Sequence, residues 1–256
     1  MKKHWQADVV MEGAEDGEPV SWHLPEEAPV ALIYNGVTYA VMLASPADLT
    51  DFAVGFSLSE RVVDAVADIA AIDIREREQG IDIHMTISAR AAERLSVREH
   101  RNITGRTGCG LCGIDSAERL FQPLPKVSET PMRIERSVVA VAAGALEAKQ
   151  PMRELNRSVH GAAWAGMDGA IHLVREDVGR HNAIDKLLGA RARAGETGEG
   201  FVLMTSRASY EIVEKAVFRG VKALVTLSAP TAFAVRRARE AGLMLANYNG
   251  GHLTIF

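Results

Sequence analysis

The residues from 201 to 247 constrain the fold of this chain more than any other stretch. Apolar runs at 201–205, 223–227 and 243–247 have the length and composition of buried strands, and helical patterns at 208–219 and 230–241 separate them. This alternation predicts parallel strands joined by right-handed crossovers. We therefore expect an α/β fold with a C-terminal βαβαβ unit, in which a ligand binds at the carboxyl ends of the strands.

Polar residues follow each of these three predicted strands, as a phosphate or sugar pocket would require. Two of the ends lead into helices whose free N–H groups could bind an anion. The simpler interpretation is helix capping, with Glu211 and Lys215 as an ordinary i,i+4 ion pair and a hairpin turn after the third strand. The segments are Thr205-Ser206-Arg207, Ser228-Ala229-Pro230-Thr231 and Asn247-Tyr248-Asn249-Gly250-Gly251.

The first 121 residues are predicted to form a β-rich N-terminal subdomain. Asn35-Gly36 and Gln79-Gly80 are typical hairpin turns between alternating apolar runs, and Ser45-Pro46 is a typical helix start. Prolines at 123, 125 and 131 make residues 122–131 a stiff connection. We expect a second subdomain over 132–256, with the two parts acting as one functional unit. The predicted strands are 9–11, 19–24, 30–34, 37–43, 69–76 and 81–87, and helices are predicted to begin at Pro46 and to span 89–97.

The second subdomain begins with a segment that is apolar on most faces. Residues 134–149 therefore predict a buried helix. Residues 159–165 and 170–174 form a predicted strand pair that turns at Asp168-Gly169. Residues 180–194 predict an amphipathic helix with Ile184, Leu187 and Leu188 on its apolar side.

Composition describes an ordinary globular protein of 256 residues. Hydrophobic residues make up 47% and the net charge is -4, so no broad nucleic-acid surface is implied. No apolar run follows the N-terminal lysines and none is long enough to span a bilayer, so we expect neither a signal peptide nor a membrane helix. With only two cysteines, a disulfide framework is not expected, and we predict a cytoplasmic protein.

Those two cysteines, Cys109 and Cys112, lie two residues apart among glycines in the segment Arg106-Thr107-Gly108-Cys109-Gly110-Leu111-Cys112-Gly113. Half of a zinc site is one interpretation, although the remaining two ligands have no obvious candidates. A thioredoxin-like dithiol is another, but the glycines oppose the helix that such a motif opens. The third is a thiol carrier on a mobile arm, in which nearby arginines favour the thiolate.

The densest polar cluster is Glu176-Asp177-Val178-Gly179-Arg180-His181-Asn182-Ala183-Ile184-Asp185-Lys186. Its simplest interpretation is a strand end followed by a capped, solvated helical turn. Acid, guanidinium, imidazole and amide groups crowded around a glycine could also bind a base and a phosphate together. His160, in an otherwise apolar run, favours a satisfied half-buried histidine over a catalytic base.

Together these segments resemble the formate dehydrogenase accessory sulfurtransferase family, FdhD, over most of the chain. The resemblance rests on the Cys-x-x-Cys loop, the 176–186 block, Arg207-x-Ser209-x-Glu211 with Lys215, and Ser228-Ala229-Pro230-Thr231. The N-terminal pattern of Asn35-Gly36, Met42, Pro46, Asp48-Leu49, Gly55-Phe56 and Glu60 also fits. Asn247 and His252 depart from it, since the family usually has Phe and Arg at those positions.

The resemblance implies a sulfurtransferase required for formate dehydrogenase activity, in an α/β/α sandwich similar to the cytidine deaminase fold. Sulfur would pass as a cysteine persulfide from a cysteine desulfurase to the molybdenum (or tungsten) bis-pterin guanine dinucleotide cofactor, bound as cargo, and homodimers are expected. The persulfide-bearing cysteine falls on Cys109, with Cys112 assisting. The implied cofactor contacts are Arg180, His181, Asn182, Asp185, Arg207, Ser228, Thr231 and the run Asn247, Tyr248, Asn249, Gly250, Gly251 and His252.

Two other functions remain open from the sequence. A zinc-dependent deaminase would share the implied fold, yet it requires His-x-Glu and Pro-Cys-x-x-Cys motifs, whereas Gly108 precedes Cys109 here. A chaperone that binds the cofactor and its client without transferring sulfur would need neither cysteine.

Overall fold

A computed structural model describes residues 5–16, 18–99, 122–130 and 132–256, which form a mixed α/β structure with three sheets. Short 3₁₀ turns at Val66–Asp68 and Glu147–Lys149 supplement the regular elements. The strands are β1 (Asp8–Glu15), β2 (Glu18–Pro25), β3 (Ala28–Tyr34), β4 (Val37–Ala44), β5 (Ile69–Arg77), β6 (Gly80–Ile87), β7 (His160–Gly166), β8 (Ile171–Asp177), β9 (Gly200–Met204), β10 (Ala223–Thr226), β11 (Met244–Asn249) and β12 (His252–Ile255). The helices are α1 (Leu49–Ser59), α2 (Ala89–Glu99), α3 (Arg136–Leu146), α4 (Pro151–Asn156), α5 (Arg180–Arg193), α6 (Tyr210–Phe218) and α7 (Ala232–Ala241).

The N-terminal strands form a separate hairpin, β1–β2, and a four-stranded sheet in the order β4-β3-β6-β5. The predicted turn between β3 and β4 is confirmed, since Asn35 and Gly36 both have positive φ angles, of 47° and 89°. Antiparallel pairing of β5 with β6 confirms the second predicted hairpin. Helix α1 covers one face of this sheet and buries Phe52 and Phe56 against it.

The C-terminal sheet has six strands in the order β12-β11-β10-β9-β7-β8. Strands β9, β10 and β11 pair in parallel, which confirms the parallel βαβαβ unit predicted from the sequence. Helices α5, α6 and α7 cover one face, where Ile184, Ile212 and Ala238 pack on the sheet. Helix α3 covers the opposite face, where Val139 and other residues form a second core. The sheet is therefore covered by helices on both sides.

Helix α5 lies between the six-stranded sheet and helix α1, so it is buried on two sides rather than amphipathic as predicted. The two helices approach backbone to backbone through glycines. A Cβ atom on Gly55 would lie 1.7 Å from the carbonyl oxygen of Asp185, and one on Gly189 would lie 1.9 Å from that of Asp51. No side chain fits at either position, which is why glycine is required there.

Two further predictions are wrong. Helix α1 begins at Leu49, three residues after Pro46, because Ser45 is instead hydrogen-bonded to the turn after β8. Helix α3 is buried only on one face, with Val139, Ala142 and Leu146 inside and Val141 56% exposed. Apolar composition predicted a fully buried helix, but only the sheet covers α3 among the described elements. The subdomain boundary at 122–131 stays a prediction.

No helix in the described part of the chain is long and apolar enough to cross a membrane.

Candidate functional site

The turn between β8 and α5 is held in place by buried carboxylates. Asp177 accepts hydrogen bonds from the backbone N–H groups of Ser45 (3.0 Å) and Gly179 (2.8 Å), and it pairs with Lys186 at 2.6 Å. Ser45 completes the connection, since its hydroxyl accepts a hydrogen bond from the N–H of Val178. These contacts join the β4–α1 connection to the start of α5 and fix the direction of the first helical turn.

Glu176 also has a structural role within this turn. Its carboxylate oxygens accept hydrogen bonds from the N–H groups of Met152 and Arg153, both at 2.9 Å. Those groups lie in the first turn of α4, where backbone N–H groups lack partners within the helix. The negative charge therefore caps α4 and ties it to β8.

Two of the predicted cofactor contacts in this block, Asn182 and Asp185, are buried and bonded within the protein. The Asn182 amide donates to the carbonyl oxygen of Leu43 (2.8 Å) and to Asp177 (3.0 Å). Asp185 accepts hydrogen bonds from Ser59 (2.6 Å) and Lys215 (2.9 Å). Both assignments to the cofactor stay predictions, and the structure gives each side chain a packing role.

The Asp185–Lys215 pair joins α5 to α6 and, through Glu60, to the end of α1. Burial opposes the charge on Lys215, yet the carboxylates of Asp185 and Glu60 raise the pKa of Lys215 above its usual range. The simpler interpretation of Glu211 and Lys215 as an i,i+4 ion pair is therefore wrong, because Lys215 points toward α1 and α5. Glu211 pairs elsewhere.

Arg180 and His181 are the members of the block that remain for a ligand at the strand ends. Arg180 is half-buried, and its Nε atom has no hydrogen-bond partner among the described residues. His181 Nε2 lies 2.7 Å from a carboxylate oxygen of Glu211 and 3.5 Å from the hydroxyl of Ser209. Glu211 thus orients the imidazole, a role that the sequence signalled only through its place in the Arg207–Glu211 motif.

His160 begins β7 and lies opposite Asp177 in the ladder with β8. Burial lowers the pKa of His160, and the positive charges of Arg180 and Arg153 lower it further. The ring is half-buried, as expected from the sequence. This edge of the sheet therefore brings together basic side chains from β7, α4 and the start of α5.

The carboxyl ends of β9 and β10 lie next to this group. Ser228 donates its hydroxyl hydrogen to the carbonyl oxygen of Thr205 (3.1 Å), and Thr231 caps α7 by accepting from the N–H of Ala234 (3.2 Å). Arg207 is exposed, and its guanidinium group has no hydrogen-bond or ion-pair partner within the described ranges. The two hydroxyl groups therefore shape the strand ends, while Arg207 offers a free cation.

The last predicted contacts lie on β11, its turn and the start of β12. Asn247 donates its amide to the carbonyl oxygen of Thr226 at 2.8 Å, and Tyr248 packs beside the α3 core. Gly250 and Gly251 form the turn with positive φ angles of 56° and 80°, which confirms the predicted hairpin. Asn249 and His252 pair across this hairpin and are exposed.

These predicted contacts all lie on the side of the six-stranded sheet where the parallel strands have their carboxyl ends. They are at separate positions along that side. Arg180 and His181 follow β8, whereas Asn247–His252 follows β11, four strand spacings away. At about 4.8 Å per spacing the two groups are separated by roughly 19 Å. Only an extended ligand could contact both groups at once.

Cys109 and Cys112 lie outside the described residues, as does the rest of the segment 100–121. Within the described ranges, no group of three or more His, Cys, Asp or Glu side chains is arranged to hold a metal ion. The basic side chains at the strand ends suit an anionic ligand instead.

The fold has a counterpart among solved structures. A crystal structure of a protein described as a formate dehydrogenase accessory protein, from Desulfotalea psychrophila, superimposes with a TM-score of 0.74. The match covers 97% of this chain and 96% of that one, at 18% sequence identity. At this identity the likeness concerns the fold alone.

Relatives of higher identity share most of the sequence. A protein from Cupriavidus necator named sulfur carrier protein FdhD is 49% identical over 224 residues, which cover 87% of this chain and 77% of the relative. Proteins with the same name from Xanthomonas euvesicatoria and Bordetella petrii are 46% and 44% identical and cover 80% of their own length. The FdhD/NarQ family profile matches residues 25–256. The chain described here, with its basic strand-end edge, therefore belongs to the FdhD/NarQ family.

Proposed function

We propose that this chain is a sulfur carrier that acts for formate dehydrogenase. The observation that carries the proposal is the 49% identity, over 87% of the chain, to a relative named sulfur carrier protein FdhD. The chain has two thiols that could carry sulfur, Cys109 and Cys112. Acting in the maturation of formate dehydrogenase fits the description of the Desulfotalea psychrophila protein as an accessory protein.

The first chemical step is a thiol–persulfide exchange at Cys109. Its thiolate attacks the terminal sulfur of a persulfide on a cysteine desulfurase. A sulfur–sulfur bond forms on Cys109 while the donor's sulfur–sulfur bond breaks, and the electron pair leaves with the donor thiolate. Arg101 and Arg106, which lie close to Cys109 in the sequence, would favour the attacking thiolate by their charge. Cys112 then relays the sulfur or resolves a misdirected species.

The ligand that binds at the strand ends is the molybdenum (or tungsten) bis-pterin guanine dinucleotide cofactor, which the protein holds as cargo. Arg180 and Arg207 would bind its phosphate groups, since charge-assisted hydrogen bonds from such cations are strong, and His181 would add a hydrogen bond. The separation of roughly 19 Å between the β8 end and the β11 hairpin suits an extended dinucleotide, of which guanosine diphosphate would occupy one part. The β11 hairpin would then hold the far end of the ligand.

The proposal includes two structural expectations. One is that the helix-covered six-stranded sheet corresponds to the sandwich of cytidine deaminases, which superposition on a solved deaminase tests. The other is a homodimer in the cytoplasm, for which light scattering on the purified chain should give twice the mass of 27.7 kDa.

Mass spectrometry tests sulfur transfer directly. The full chain is incubated with a cysteine desulfurase and L-cysteine, and we expect about 32 Da of added mass on the peptide that contains Cys109. A Cys109→Ala variant should lose the addition, and Cys112→Ala should keep it. Absence of the added sulfur from the wild-type protein, with an active desulfurase, would overturn the carrier role. A Cys109→Ala variant that still matures formate dehydrogenase would indicate a chaperone instead.

A further inference from the structure

A cavity lies at the opposite end of the strands of the six-stranded sheet from the strand-end site. It has a volume of about 470 Å³ and is bounded by the start of β9, the ends of α5 and α6 and the loop 195–200. That volume falls in the range of sites for small organic ligands. Arg191, Arg219 and Lys222 line it, together with the apolar side chains of Trp164, Leu188 and Met132.

Arg191 is fixed in this cavity by an aromatic contact. Its guanidinium carbon lies 3.7 Å from the ring centroid of Trp164, and its Nε atom is buried without a hydrogen-bond partner in the described part of the chain. Burial lowers the pKa of Arg191, Glu196 opposes that change, and the charge of Arg219 lowers the pKa further. The guanidinium group is thus ordered and partly desolvated before any ligand binds.

Arg219 is a second partly buried cation in this cavity. It is half-buried beyond the end of α6, burial lowers its pKa, and it makes no ion pair with the described acidic residues. Two guanidinium groups that have lost hydration and repel each other raise the free energy of the empty cavity. An anion between them would relieve both costs.

Neither the helix ends nor the acidic residues around the cavity compensate Arg191 and Arg219 for the loss of hydration. Cations at the carboxyl ends of α5 and α6 complement the helix dipoles, but that interaction does not require them to lose water. Of the acidic residues around the cavity, Asp64 pairs with Arg94 and Arg90, and Glu196 accepts a hydrogen bond from the N–H of Gly198. Glu199 is exposed at the rim.

We propose that this cavity binds a small organic phosphate, whose phosphate oxygens pair with Arg191 and Arg219. Planar guanidinium groups bind phosphate oxygens in pairs, which makes them the preferred partners of a multiply charged anion. Lys222 adds a third positive charge at the opening, and Leu188 and Met132 contact the organic part. The site is separate from the strand-end edge and does not depend on sulfur transfer.

Calorimetric titration of inorganic pyrophosphate into the full chain tests the proposal. We expect saturable binding at one site per chain, with a change in tryptophan fluorescence because Arg191 covers Trp164. Arg219→Gln should weaken binding about tenfold or more, since it removes charge-assisted hydrogen bonds. Arg239→Gln is the matched control, since Arg239 is an exposed cation in the last turn of α7 and is absent from the cavity lining.

Four results would overturn the proposal. The first is that pyrophosphate does not bind saturably. The second is that Arg239→Gln weakens binding as much as Arg219→Gln, which would indicate unspecific attraction to surface charge. Alternatively, Arg207→Gln at the strand-end edge would abolish binding while Arg219→Gln left it intact. Citrate is titrated in parallel, and binding of citrate without pyrophosphate would overturn the assignment to a phosphate. Unchanged circular dichroism of Arg219→Gln shows that the variant is folded.

Discussion

Lys186 and Asp177 form an ion pair of 2.6 Å in which both side chains are completely buried. The ammonium group also donates to the carbonyl oxygens of Ser45 (2.9 Å) and Glu176 (3.3 Å), so its three hydrogens all have acceptors. The pair therefore holds the β4–α1 connection against the turn that presents Arg180 and His181. The pair thus fixes this turn from inside the protein, since both of its side chains are buried.

Asp177→Asn should lower the free energy of unfolding by about 3–5 kcal/mol, because it leaves Lys186 as an unpaired buried cation. Urea denaturation measures the change. Asp73→Asn is the matched control, since Asp73 pairs with Arg75 on the surface and its loss should cost less than about 1 kcal/mol. The double variant Asp177→Asn with Lys186→Met should recover part of the loss. Equal costs for the two single variants would contradict a structural role for the buried pair.

Gly55→Ala should destabilise the protein by at least about 3 kcal/mol, because overpacking against backbone atoms forces α1 and α5 apart. The added Cβ would lie 1.7 Å from the carbonyl oxygen of Asp185. Gly144, in α3, offers a control in which no atom lies within 4 Å of the added Cβ. Gly144→Ala should therefore stabilise the protein by up to about 1 kcal/mol. Thermal unfolding of both variants measures the contrast, and a neutral Gly55→Ala would show that the helices can separate without cost.

Stability should fall as the pH decreases through about 6.5, and His160 should account for part of the decrease. Burial first, and then Arg180 and Arg153, lower the pKa of His160 in the folded state. The unfolded chain therefore binds the proton more readily, and acid favours unfolding. Because the ring is only half-buried, we expect less than about 1 kcal/mol from this residue after solvent screening.

Comparison of the wild type with His160→Gln isolates that contribution. Urea denaturation at several pH values should show a shallower dependence for the variant between the folded and unfolded pKa values. A direct NMR titration of the imidazole supplies the control. A pKa for His160 above 6.5 would contradict the expectation.

Arg180→Gln and Arg207→Gln should each weaken the binding of guanosine diphosphate about tenfold or more, because each removes an unpaired cation from the strand-end edge. Calorimetry at one fixed salt concentration measures the affinities. Arg239→Gln, at the other edge of the sheet, should leave the affinity unchanged. Equal losses of affinity in the three variants would show that the nucleotide is attracted only by the overall charge of the protein.

Local patterns in the sequence were sufficient for most of the secondary structure. The positive φ angles at Asn35 and Gly36 are a property of those residue types, and the alternation over 201–247 is a property of nearby positions. Both predictions are confirmed for that reason. The start of α1 was missed because Ser45 bonds to residues 132 and 133 positions away, which no local pattern reveals.

The sequence by itself determined the parallel βαβαβ unit and the edge where polar residues gather, because periodicity and strand direction are local. Only the tertiary structure decided which of those residues stay accessible at the strand ends and which are buried. No local sequence pattern distinguishes Asn182, Asp185 and Lys186 from Arg180 and His181. The side chains of the first three nevertheless point into the protein. Their direction follows from partners such as Leu43, Ser59 and Ser45, which lie 126 to 141 residues earlier. Burial of a charged group requires such partners, and folding alone brings them together.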